Sequence, residues 1–313
     1  MAANRGEGLH GVLVVDKPAG PTSHDVVDRV RRALGVRRVG HTGTLDPFAT
    51  GVLPVCVGKA TRLARFLAGG VKVYRATVRL GFATTTDDST GEALAPPRDG
   101  AADDSSVRAA CLALVGEIQQ VPPAYSAKRV AGRRLHEMAR AGIVVERSAV
   151  RVTVYAMDVV SIASDRVVLE VRCSPGTYVR ALARDMGEAL GVGGHLEALR
   201  RTRSGAFGLD EAVSWDDIPG LGAERLLPMD RLLADMPAIT VGDEGMAALR
   251  HGRELGRRLV LSGFPEGSPP ERLRVLASDG GMLLALVVPR GFGGGPPGVS
   301  LEPVLQPDLV LLE

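Results

Sequence analysis

Residues 40 to 46 read Gly-His-Thr-Gly-Thr-Leu-Asp and run into Pro47-Phe48-Ala49-Thr50-Gly51, a polar stretch punctuated by glycine and proline that no helix interior accommodates. Its one carboxylate is Asp46. On such a loop an aspartate either bonds its own backbone ahead of the proline, as a turn residue, or faces a substrate as nucleophile or general base. Burial alone would hold it protonated, so reactive use requires a permanent cation beside it. A second segment, Pro175-Gly176-Thr177-Tyr178-Val179-Arg180, places Tyr178 and Arg180 near the start of a predicted helix. Backbone N–H groups and a guanidinium there favour a carboxylate or a phosphate, and a guanidinium stays charged and grips a carboxylate with two bonds.

The flanking sequence indicates what must position these groups. Residues 11–16 are a β-branched run that ends at Lys17-Pro18-Ala19-Gly20-Pro21, a strand followed by a turn. Thr22 and Ser23 offer a helix cap with Asp25 close behind, and Val26, Val27, Val30 and Leu34 recur at helical spacing. Arg29, Arg31 and Arg32 fall on the other side of that helix, with Arg37 and Arg38 beyond it. Residues 52–57 form an apolar strand. The following Gly58-Lys59-Ala60-Thr61 is no phosphate-binding P-loop, because Leu53 stands where its first glycine belongs and Ala60 where Ser or Thr must follow the lysine; residues 59–67 read as a short helix.

Residues 72–80 alternate with period two, which puts Tyr74 on one face with Val78 and Leu80. A Pro- and Gly-rich linker over 94–104 leads to a helix over 104–115. Pro122 and Pro123 exclude helix in the next loop. Residues 128–140, with Arg129 and Arg133, are strongly basic and read as partly helical, a candidate for phosphate contact or a solvated face. Residues 149–162 and 165–173 read as a hairpin turning at Ser164-Asp165. Beyond 238, apolar runs at 258–261, 273–276 and 282–288 predict a small β-rich end domain.

At 313 residues, 45% hydrophobic and 24% charged, the chain has room for one large domain or two and an ordinary globular composition. No apolar run reaches the length of a membrane span and the N-terminus lacks a signal-peptide pattern, so a cytoplasmic, non-membrane protein is expected. Cys56, Cys111 and Cys173 form no Cys-x-x-Cys pair and the six histidines show no ligand spacing, so neither a disulfide nor a metal is expected. Lys and Arg number 29 against 20 Asp and Glu through residue 208, a balance of +9, but 9 against 16 from 209 onward, a balance of −7. A basic body with an acidic end suits a polyanion bound by the first two thirds.

Several strings occur in one order: Gly-His-Thr-Gly-x-Leu-Asp-Pro-x-Ala-x-Gly-x-Leu-Pro from Gly40, Gly-Lys-Ala-Thr from Gly58, Lys-x-Tyr from Lys72, and Thr-x-Thr-x-Asp-x-x-Gly from Thr84. Gly-Thr-Tyr-x-Arg from Gly176 and the stretch from Gly193 to Phe207 follow. Together they resemble the TruB family of tRNA pseudouridine synthases through about residue 208. The resemblance implies an α+β fold, a pseudouridine-synthase-like mixed β-sheet body flanked by helices, with a small β-rich C-terminal PUA-like domain. It divides the chain into a catalytic domain (1–208), a connecting segment (209–237) and the end domain (238–313).

The same resemblance implies isomerisation of uridine 55 in the tRNA T stem-loop by base flipping. Asp46 is then the essential carboxylate, Arg180 its partner, and Tyr74 the ring that packs on the target base and assists proton transfer. Leu199 lies beside the uracil, and His41 fills the gap left by the flipped base. Lys17, Tyr178, Arg129 and Arg133 complete the substrate-binding set. Two positions depart from the usual family string: Arg129 stands where lysine is common and His136 where tyrosine is. No cofactor, metal or protein partner is expected, and the chain is expected to act as a monomer. A tRNA-folding chaperone and a guide-RNA-dependent relative are the rival readings.

Overall fold

A computed structural model describes residues 8–97, 103–124, 129–130, 133–134, 147–279, 281–292 and 302–312. Strand β1 (Gly11–Lys17) is apolar at almost every position because both of its faces are covered. Leu13 and Val15 pack with Val26, Val27 and Val30 of helix α1 (Ser23–Leu34), while Val12 and Val14 face Leu232, Leu283, Leu286 and Leu311. Helix α1 starts in a capping box. The Thr22 hydroxyl accepts the Asp25 N–H at 3.1 Å, the Asp25 carboxylate accepts the Thr22 N–H at 2.8 Å, and Gly35 ends the helix at a left-handed φ of 64°.

Strands β2 (Val39–His41), β3 (Thr50–Val57) and β4 (Lys72–Leu80) follow, with a 3₁₀ turn (Gly58–Leu63) and helix α2 (Ala64–Ala68) between the last two. Next come α3 (Asp104–Ala113), β5 (Gly116–Gln120), the short β6 (Arg129–Val130) and β7 (Arg133–Arg134), and the hairpin β8 (Val150–Ala163) and β9 (Arg166–Cys173). Helix α4 (Val179–Ala189) leads to β10 (Gly194–Ser204), β11 (Phe207–Gly208) and β12 (Val213–Ser214). These strands build a mixed sheet in the order β12-β1-β3-β10-β4-β9-β8-β5, with β2 and β11 paired at its side to β3 and β10. The centre of this sheet organises the rest: β10 runs parallel to β3 on one side and antiparallel to β4 on the other.

A second sheet carries β13 (Ala238–Val241), β14 (Leu255–Gly256), β15 (Val260–Ser262), β16 (Leu273–Ala277), β17 (Leu283–Arg290) and β18 (Val304–Val310), with helix α5 (Asp243–Arg250) against it. Its core holds Ile239, Leu249, Val275 and Leu284, and its Leu283 and Leu286 close over β1 and β3. The segment between the sheets is laid along the body. β12 adds in parallel to β1, and Leu227 exchanges both backbone hydrogen bonds with Val12 at 2.8 and 3.0 Å.

Two local readings change, and a third is tested only at four residues. β5 was not evident in the sequence; it docks on β8 as an edge strand. The run at 258–261 begins as a 3₁₀ turn over Arg257–Leu259 and only then becomes β15. In the basic stretch expected to be partly helical, Arg129 and Val130 pair antiparallel with Arg134 and Arg133. The remainder of 128–140, His136 included, lies outside the described residues.

Candidate active site

Asp46 sits on the loop between β2 and β3, and buried groups grip the backbone of that loop from two sides. From below, the fully buried Lys17 ammonium donates to the carbonyls of Pro18 (2.8 Å), Pro21 (2.8 Å) and Pro47 (3.1 Å). Beside it, the Ser23 hydroxyl donates to the Leu45 carbonyl at 3.0 Å and accepts the Leu45 N–H at 2.8 Å. From β10, the buried Arg201 guanidinium donates to the carbonyls of Val52 (2.8 Å), Gly43 (3.1 Å) and Thr44 (3.4 Å). A close approach makes this possible. Gly51 has φ +101°, and a Cβ there would lie 2.2 Å from the Arg201 carbonyl oxygen.

The cation that a reactive Asp46 requires is present. Arg180, at the start of α4, donates through Nε to one Asp46 oxygen at 3.0 Å and through Nη2 to the other at 3.3 Å. The Arg180 side chain is 6% exposed, whereas Asp46 keeps 35% of its side-chain surface, so the carboxylate is the member of the pair that meets the cavity. Behind it, Asp88 holds the far edge of the guanidinium at 3.2 Å. Asp88 itself is fixed by the Thr86 hydroxyl (2.7 Å) and the Thr90 N–H (3.0 Å). Its neighbour Asp87, at a left-handed φ of 60°, takes Arg184 at 2.9 Å. Two consecutive aspartates thus clamp two arginines one helical turn apart on α4. Burial raises the Asp46 pKa above its ordinary 3.8, Arg180 and Lys17 pull it down, and Asp88 pushes it up; the net direction is upward.

A cavity of about 350 Å³ opens beside the carboxylate. It brings together Asp46, Tyr74, Tyr178, Arg180 and Leu199 of the residues singled out in the sequence, and adds Lys72 and Arg201. Tyr74 and Leu199 are buried on adjacent strands, Tyr74 opposite Arg201 and Leu199 opposite Ala76, and give the cavity an apolar wall. Burial pushes the Tyr74 hydroxyl above its usual pKa of 10.0. Tyr178 caps α4, and its backbone is held by the fully buried Gln120, which accepts its N–H at 2.8 Å and donates to its carbonyl at 3.1 Å.

Two expected residues lie elsewhere. Lys17 spends its three N–H groups on loop carbonyls and does not line the cavity, so it supports the loop from beneath. His41 ends β2 one residue before the lining begins at Thr42; burial and Arg201 lower its pKa and favour the neutral ring. Arg129 and Arg133 belong to the β6–β7 ribbon, and their side chains are outside the described residues. The residues missed by sequence reasoning are Ser23, Lys72, Asp88, Gln120, Arg184 and Arg201. Lys72, Asp88 and Arg201 stand inside the quoted strings, but spacing alone assigns them no partner.

The arrangement suits a flat, neutral ring packed against Tyr74 and Leu199 with a carboxylate at its edge, and chemistry of that kind requires no redox group. The description "TruB family pseudouridylate synthase (N terminal domain)" matches residues 31–179, and "tRNA pseudouridylate synthase B C-terminal domain" matches residues 180–234. A tRNA pseudouridine synthase B of Burkholderia pseudomallei is 44% identical over 279 residues, 88% of this chain and 92% of the relative. One from Aromatoleum aromaticum is 47% identical over 260 residues, 82% of this chain and 84% of the relative. Among solved structures, a chain of a Cbf5-Nop10-Gar1 complex superposes with a TM-score of 0.72 at 27% identity, covering 97% of this chain and 85% of that one.

Proposed function

The chain belongs to the TruB family of pseudouridylate synthases, and on that premise we propose that it converts uridine 55 in the T loop of tRNA to pseudouridine, acting alone as a cytoplasmic monomer. The observation that carries the reading is the Asp46–Arg180 pair, 3.0 Å apart, in the wall of a cavity faced by Tyr74 and Leu199. The reaction moves the ribose C1′ bond from N1 to C5 of the same uracil, so it needs no net redox change and no external energy.

A base stacked in an RNA loop cannot reach a carboxylate recessed in this way, so the nucleotide flips into the cavity. Tyr74 and Leu199 pack on its faces, His41 takes the vacated space in the RNA, and Tyr178 borders the entering nucleotide. Asp46 acts by adding to C1′ or C6 or by taking a ribose proton; each role requires the ionised form, which Arg180 favours. The basic residues of α1 and the β6–β7 ribbon, Arg129 and Arg133 among them, bind phosphates. Residues 1–208 carry the chemistry, 209–237 connect, and 238–313 form the PUA-like end.

The test is purified chain incubated with unmodified tRNA transcript, with pseudouridine mapped by chemical labelling. Product at position 55 alone, from a bare T-arm transcript without guide RNA or partner, is expected. Product at another position overturns the substrate. Conversion by Asp46→Asn at an appreciable rate overturns the mechanism and leaves the chaperone reading.

A further inference from the structure

Among the described residues, four buried cations lie in or directly under the cavity, Lys17, Lys72, Arg180 and Arg201, against two carboxylates, Asp46 and Asp88. Both carboxylates bind one guanidinium, that of Arg180. Lys17 is saturated by three carbonyls and faces away from the cavity lining. Lys72 differs from it. It is 5% exposed, lines the cavity, donates to the carbonyls of Ala68 (3.1 Å) and Gly70 (2.9 Å), and has no carboxylate partner among the described residues. An ammonium carries three N–H donors, so one remains for the cavity. Burying an ammonium without a counter-ion is costly, and a loop staple alone does not require it to border an open pocket.

The chemistry proposed above shows what such a charge is for. In each role open to Asp46, the negative charge leaves the carboxylate and ends on the pyrimidine. When Asp46 adds to C1′, or takes a ribose proton, the C1′–N1 bond pair departs with N1 and gives a uracil anion spread over O2 and O4. When it adds to C6, the charge passes to C5 and O4, and the C1′–N1 bond pair then departs with N1 as the pyrimidine separates from the ribose. The C5–C1′ bond then forms, the carboxylate is restored, the C5 proton is lost and N1 gains one, so charge and protons balance. Arg180 remains neutralised by Asp88 while this happens.

Resting on the proposed reaction, we propose that Lys72 is a catalytic residue that touches the pyrimidine and stabilises the anion formed when the charge leaves Asp46, with Arg201 behind it adding to the same field. Lys72 sits two residues before Tyr74 on β4, on the same face as that ring, so the ammonium and the apolar wall reach one bound base. The groups facing Lys72 are Arg201 from β10 and Cys173 from β9, with Tyr74 on its own strand. Burial and Arg201 bring its pKa down to about 8, so its proton is held loosely at rest and tightly once an anion appears. A preorganised donor aimed at developing charge contributes on the order of 10²-fold or more in rate.

The test compares full-length wild type, Lys72→Met and Lys72→Arg in single-turnover conversion of unmodified tRNA transcript, with tRNA affinity by filter binding and folding by thermal melt. Lys72→Met is expected to lose roughly 10²-fold in rate with tRNA affinity within about threefold of wild type, and Lys72→Arg to recover at least part of the loss. The wild-type rate is expected to fall above about pH 8, and Lys72→Arg to move that limb upward. Lys17, also near pKa 8, titrates in both proteins and so cannot produce the difference. Where Lys72→Met fails to fold, the two pH profiles decide: identical profiles overturn the proposal. A Lys72→Met rate close to wild type overturns it alone, whereas a wild type that forms no pseudouridine overturns the function as well.

Discussion

Asp88→Asn isolates how the buried charges set the reactivity of Asp46. The substitution keeps the shape of a side chain that is 4% exposed, and one oxygen can still accept from Thr86 and Thr90. The other position now presents an N–H₂ to the Arg180 Nη1 that Asp88 accepts at 3.2 Å, donor against donor. Unit charges at that distance attract by ~5 kcal/mol at an effective dielectric of about 20. Removing one member of a buried pair typically costs ~3–5 kcal/mol. Arg180 keeps Asp46, so the lower end is expected, ~3 kcal/mol, a fall in Tm of roughly 6–12 °C.

The effect on Asp46 has the opposite sense. Asp88 raises its pKa, so removing Asp88 leaves Arg180 to act on Asp46 alone and lowers it. In the proposed reaction Asp46 must be ionised, so the rate is expected to fall as pH drops through its pKa. The acid limb of the single-turnover rate should therefore lie above the ordinary 3.8 in wild type and move to lower pH in Asp88→Asn. The measurements are a pH–rate profile from about pH 4.5 to 8 and a thermal melt. An acid limb that stays put or moves upward refutes the coupling of the two carboxylates through Arg180; an unchanged Tm refutes the buried pair.

Asp46→Asn should abolish conversion without lowering Tm at pH 7. A carboxylate whose folded pKa is raised contributes stability that is complete below its unfolded pKa and lost as pH rises through the folded value, so the ionised group is a burden at neutral pH, and a melt well below wild type contradicts this. Gly51→Ala should cost more than about 2 kcal/mol, because φ is +101° and the new Cβ would lie 2.2 Å from the Arg201 carbonyl oxygen where β3 meets β10. A melt within 2 °C of wild type contradicts that close approach.

Local elements were readable where short-range rules act alone. Thr22 and Asp25 announce the start of α1, and the alternation from Lys72 to Leu80 gives a strand with Tyr74 inward. Pro47 and the glycines around it exclude helix at the Asp46 loop. The β6–β7 pairing was not evident because a run of arginines carries no periodicity that announces a ribbon, and the helix expected within 128–140 falls on residues outside the described ones. The edge strand β5 was hidden for a related reason: Gly116–Gln120 has only one firmly buried side chain, Gln120, and that residue is polar.

The sequence by itself determined the irregular loop that carries Asp46, the capped helices, the strand faces and, through its ordered strings, the family to which the chain belongs. Backbone sterics, capping and burial periodicity operate within a few residues, so they are written locally. Only the tertiary structure decided which charges meet. Asp46 and Arg180 are 134 positions apart, and they touch because β10 lies between β3 and β4 and α4 leads into it. The same topology aims Arg201 at the loop carbonyls, sets Asp88 behind Arg180 and leaves Lys72 facing the cavity without a carboxylate among the described residues. Electrostatic partnership depends on distance and burial in three dimensions, and no spacing along a chain encodes either.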